Sequence, residues 1–88
     1  MSAKKGYVII AIPSGCEMEL RAESPTINEA HKEARNIKAQ NIDARDFQID
    51  IFCENDWKRW EASGFSEDEF SDAIASYGSN CNGKWNEW

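Results

Sequence analysis

The chain has 88 residues and a mass of 10.0 kDa, enough for one domain with a small core. Sixteen acids against ten bases give a net charge of -6, which argues against direct nucleic-acid binding, since phosphate contacts need clustered Lys and Arg, and favours a basic partner. A hydrophobic fraction of 41% with four Trp excludes a disordered acidic tail. No apolar run has the length of a membrane span, and Tyr7–Ile12 is too short for a signal-peptide core, so a cytosolic protein without membrane contact is expected.

Tyr7 to Ile12 is a continuous, largely β-branched apolar run, which predicts a central strand covered on both faces. Pro13-Ser14-Gly15 supplies a turn, and residues 17–23 then alternate, with Met18, Leu20 and Ala22 on one face of a second, hairpin-paired strand. Thr26 with Glu29 forms a capping box. Behind it Ile27, Ala30, Ala34 and Ile37 make the apolar stripe of a helix ending near Gln40, with Glu29 and Lys32 spaced to pair. Residues 46–53 alternate again as a third strand, with Phe47, Ile49, Ile51 and Cys53 opposite Gln48, Asp50 and Phe52.

The predicted fold is one α+β domain over residues 1–88. A β-β-α-β unit over residues 1–53 forms a three-stranded antiparallel sheet with its first strand in the middle and one helix packed on it. Residues 54–88 are read as an acidic, Trp-rich helical segment of one or two helices. Asn55 or Asp56 caps a short helix carrying Trp57 and Trp60 and stopped by Gly64, with a fourth strand over residues 57–61 as the alternative. Ser66 and Glu69 form a second capping box, with Phe70, Ala73, Ile74 and Tyr77 as the stripe of a helix stopped by Gly78. A polar loop follows, and residues 84–88 are either an edge strand or a docked tail.

Nothing in this order of residues supplies a catalytic centre. The only His, His31, lies at the border of a helix stripe, and the glycines are isolated turn or stop positions without a phosphate loop. Cys16, Cys53 and Cys81 form no C-x-x-C pair, so with His31 they lack the ligand spacing for zinc. Cys53 falls on the apolar side of its strand, and Cys16 and Cys81 fall in turns. A non-enzyme without metal or cofactor is expected.

The charge is unevenly placed. Residues 1–52 carry eight acids and seven bases, whereas residues 53–88 carry eight acids and three bases. Glu54, Asp56, Glu61, Glu67, Asp68, Glu69 and Asp72 are therefore the candidate partner-binding acids, able to form one negative face that imitates a nucleic-acid backbone. Acids in a first helical turn also gain about 0.3–1 kcal/mol each from the helix dipole, which accounts locally for residues 67–69. Asp72, four residues after Asp68, gains nothing from that position. Trp57 and Trp60 are assigned to the core. Trp85 and Trp88 either dock back on the domain or anchor a partner, and they complete the candidate set.

In length, in the strand–strand–helix–strand order from Tyr7 to Cys53, and in the acids from Glu54 to Asp72, the chain resembles the small phage-encoded proteins of the anti-CRISPR type. That resemblance implies inhibition by binding a CRISPR effector and blocking its DNA binding or activation. A monomer or homodimer is expected. Pro13-Ser14-Gly15-Cys16, with the helix start Thr26–Glu29 and Ala30, is also similar to antitoxins with a partial double-stranded-RNA-binding-like fold. This second likeness implies a small intracellular protein-binding module.

Overall fold

A computed structural model describes residues 6–13, 17–70 and 72–87. Strands β1 (Tyr7–Ile12) and β2 (Glu19–Ser24) precede helix α1 (Ile27–Gln40). Strand β3 (Gln48–Cys53), helix α2 (Glu54–Ala62), and strands β4 (Ala75–Ser79) and β5 (Trp85–Glu87) follow. The strands form one antiparallel sheet in the order β2-β1-β3-β4-β5. The class is α+β, and the expected unit with β1 between β2 and β3 is present. The sheet has five strands rather than three.

The two helices lie on opposite faces of the sheet. Ile9, Ala11, Ile49, Ile51 and Tyr77 point to α1, where they meet Ala30, Ala34 and Ile37. The two small Ala side chains let the helix lie close to the sheet. Val8, Ile10 and Phe52 point the other way and meet Trp57 of α2. This double covering is why the β1 run is apolar without alternation.

α1 begins as its sequence predicts, with the Thr26 hydroxyl accepting the Glu29 N–H at 3.2 Å. Glu29 and Lys32 form no ion pair; those among the described residues are Arg21–Glu19, Lys58–Glu54 and Arg59–Asp56. His31 is half-buried, and its Nδ1 meets the hydroxyl of the fully buried Tyr77 at 2.5 Å.

β2 departs from simple alternation. Ile9 faces Ala22 but Ile10 faces Leu20, so Arg21 is the extra residue of a β-bulge. The bulge changes the phase of the strand. Ala22 packs with the α1 core, while Leu20 and Met18 lie on the α2 side beside Trp57. The expectation that Met18, Leu20 and Ala22 share a face is therefore corrected.

The predicted helix from Ser66 to Gly78 does not form. Ser66 does cap, accepting the Asp68 N–H at 3.3 Å, but only one 3₁₀ turn follows, over Glu67–Glu69. The free edge of β3 takes the next residues as β4, pairing Ile49 with Tyr77 and Ile51 with Ala75. Sheet hydrogen bonds outweigh helix formation here because residues 75–79 hold Ser, Tyr and Gly, which are poor helix formers. Gly78 is thus a strand residue and no helix stop. The loop after it is a β-turn over residues 80–83, closed by the Gly83 N–H donating to the Asn80 carbonyl at 2.9 Å. The side-chain oxygen of Asn80 accepts the Asn82 and Lys84 N–H groups at 2.9 and 3.0 Å, and Gly83 takes φ 80°. No helix among the described residues is long and apolar enough to cross a membrane.

Candidate functional site

α2 starts where β3 stops, without a loop. The Glu54 N–H donates to the Gly6 carbonyl at 2.9 Å, and Cys53 holds the cap position without a side-chain bond, so neither Asn55 nor Asp56 caps the helix. Glu54 and Asp56 instead lie in its first turn, where they complement the helix dipole. They are also spent locally: Lys58 reaches Glu54 at 2.9 Å and Arg59 reaches Asp56 at 3.9 Å. The hydrogen bond and charge of Glu54 raise the Lys58 ammonium above its ordinary value.

The C-terminal end of α2 builds an aromatic cluster. Ser63 caps the helix and Gly64 follows at φ 75°, which only glycine adopts without cost. The N–H of Phe65 returns to the Trp60 carbonyl at 2.9 Å and that of Gly64 to Glu61 at 3.0 Å, the paired bonds of a Schellman motif. The Phe65 ring thereby stands edge-on to Trp60, with centroids 4.9 Å apart, and 5.6 Å from Trp57. Phe70 meets the same Trp60 at 5.0 Å. Phe52 lies beneath both Trp rings, at 5.5 and 6.1 Å. The indole N–H of Trp60 is buried in this cluster without an acceptor among the described residues.

This cluster joins two cavities on the α2 side of the sheet. One, of about 640 Å³, is lined by Glu17, Met18, Leu20, Trp57, Glu61 and Phe65. The other, of about 340 Å³, lies over β3 and β4 and includes Asp50, Phe70, Asp72, Ile74 and Ser76. Met18, Leu20, Phe65, Phe70 and Ile74 are all exposed, Leu20 by 50% and Phe70 by 47%. Trp57 and Trp60 pack as expected, but the apolar surface continues outward from them.

The structure divides the predicted site residues. Glu61 and Asp72 line the two cavities, and Glu67, Asp68 and Glu69 form the exposed turn between Phe65 and Phe70. None of these five acids has an ion-pair partner among the described residues. Glu54 and Asp56 are neutralised at the opposite end of α2. Trp85 lies on the α1 face: it packs on Phe47 at 5.9 Å, its indole N–H donates to the Ile42 carbonyl at 3.0 Å, and Lys38 sits 5.9 Å over its ring. It is docked on its own domain, away from the acids. Trp88, Cys16 and the turn residues Ser14 and Gly15 lie outside the described residues. Cys53 is half-buried and Cys81 exposed, both as thiols.

Sequence reasoning missed Met18, Leu20, Phe65, Phe70, Ile74 and Asp50. A signal for Phe65 was present, since a hydrophobic residue directly after a C-terminal glycine commonly closes a Schellman motif. Among the described residues no group of three His, Cys, Asp or Glu is placed to hold a metal ion. No family model, curated protein or solved structure matches the chain.

Proposed function

We propose that the protein is a non-catalytic inhibitor acting in the cytoplasm. Its α2 face docks on the basic surface of a nucleic-acid-handling protein, such as a CRISPR effector, and blocks DNA binding or activation. The carrying observation is the exposed belt of Met18, Leu20, Phe65, Phe70 and Ile74 around Trp57 and Trp60, bordered by acids that form no ion pair among the described residues. Contiguous apolar surface with a charged rim is the anatomy of a protein interface. The acids supply long-range attraction to a basic groove, and the aromatic belt supplies the desolvated contact.

The test is DNA binding and cleavage by a panel of purified CRISPR effectors with the wild-type protein present. Inhibition that weakens as salt rises and is lost with Phe65→Ala or the combined Glu67→Lys, Asp68→Lys and Asp72→Lys supports the reading. Inhibition unaffected by both variants overturns it, as does a panel in which no effector is inhibited.

A further inference from the structure

Asp50 sits in the middle of β3 on the α2 face, between Ile10 of β1 and Ser76 of β4. It is 8% exposed. The Ser76 hydroxyl and the Gln48 amide both donate to it at 2.8 Å, and both meet the same oxygen, Oδ1. Oδ2 accepts no hydrogen bond from the described residues, and the side chain lines the 340 Å³ cavity. Among the described residues no Lys or Arg lines that cavity, and their ion pairs do not include Asp50. A buried carboxylate is ordinarily matched by a cation. Here the cavity supplies a second acid, Asp72, in place of one.

We infer that this cavity is a receptor for the guanidinium group of an arginine side chain, supplied by the partner protein. The inference deepens the proposed docking of the α2 face and rests on it for the source of the arginine. Two carboxylates, one deep and one at the surface, suit a group that offers several N–H donors in one plane. Phe70 gives that plane a ring to stack on, and Ile74 closes the apolar wall. Ile74 is held in place by its N–H, which donates to the Ile51 carbonyl at 2.8 Å. A guanidinium is more weakly hydrated than an ammonium and enters a partly apolar cavity at lower cost, so arginine is preferred over lysine.

The test uses the whole ¹⁵N-labelled protein and three short capped peptides that differ only in a central arginine, lysine or citrulline. The arginine peptide is expected to shift the amide signals of Asp50, Ile74 and Ser76 saturably, with lysine weaker and neutral citrulline without effect. Asp50→Asn turns an amide N–H₂ toward the cavity and is expected to weaken arginine binding about tenfold or more. The exposed Asp72→Asn is expected to weaken it less, and it decides the matter should Asp50→Asn not fold. Equal shifts from arginine and citrulline overturn the inference, as does undiminished arginine binding by Asp72→Asn with Asp50→Asn either unfolded or equally unaffected. Shifts at these amides from calcium chloride but not from the arginine peptide also overturn it. Because the peptides replace the partner, the two readings fail separately. Arginine binding without effector inhibition keeps this receptor and removes the docking reading, and inhibition without arginine binding does the reverse.

Discussion

The N–H of Phe65 donates to the carbonyl of Trp60 at 2.9 Å, and the two rings meet edge-on with centroids 4.9 Å apart. One pair thus closes the end of α2 and begins the exposed aromatic belt. The geometry depends on two consecutive left-handed residues, Gly64 at φ 75° and Phe65 at φ 61°. A Cβ added at Gly64 meets nothing within 4 Å, so the cost of Gly64→Ala is conformational alone. It is expected to lower stability by about 1–2 kcal/mol, read from urea unfolding. An unchanged midpoint shows that the helix end does not depend on the glycine.

Glu67, Asp68 and Asp72 are exposed and form no ion pair with the described residues. Reversing each to Lys is expected to change stability by no more than about 0.5 kcal/mol. Loss of inhibition in the triple variant would then be a loss of contact. A cooperative unfolding midpoint close to the wild type checks this, and a large drop shows that these acids serve the fold.

Tyr77 gives the stability a sign at high pH. Burial raises its hydroxyl above the ordinary tyrosine value, and Glu87 adds to this while Arg35 opposes it. The folded chain therefore holds the proton after the unfolded chain releases it. The resulting stability is complete below about pH 10 and is lost as pH rises through the folded value. Tyr77→Phe, which loses the contact with His31, is expected to cost about 1 kcal/mol at neutral pH, and the gap to wild type should narrow in alkali. Urea midpoints on both sides of pH 10 test this; a gap that stays constant contradicts it.

Trp85 serves the fold from the α1 face. Its packing on Phe47 and its bond to Ile42 predict a loss of roughly 2–3 kcal/mol for Trp85→Ala, with inhibition retained by the fraction that stays folded. Full stability with lost inhibition would move the interface to the α1 face.

The first half of the fold was legible because each element carries one period. β1 is apolar throughout, and α1 repeats Ile27, Ala30, Ala34 and Ile37 behind a Thr26 cap. β4 was not legible, because Phe70, Ala73, Ile74 and Tyr77 have helical spacing and the deciding factor is remote: the free hydrogen bonds on the far edge of β3. The acids of the candidate site could be read as a group, but their division could not. It depends on Lys58 and Arg59 reaching back along α2 to Glu54 and Asp56, leaving Glu61, Glu67, Asp68, Glu69 and Asp72 without an ion pair among the described residues. The apolar half of the site was hidden for a similar reason, since the face that Leu20 takes is decided by a register shift against β1.

That shift makes β2 unequally tolerant of genetic change. The Arg21 side chain is exposed, so most substitutions there should pass unnoticed. Loss of its single codon should be tolerated as well. With the extra residue gone, Leu20 adjoins Ala22 directly and still faces Ile10, so Leu20 keeps the α2 side and Glu19 the α1 side. Loss of Leu20 instead brings Arg21 opposite Ile10, and the belt beside Trp57 would then exchange a leucine for a guanidinium. Single-codon deletion should therefore be accepted at position 21 and selected against at position 20, a pattern that deep mutational scanning with single-codon deletions can read directly.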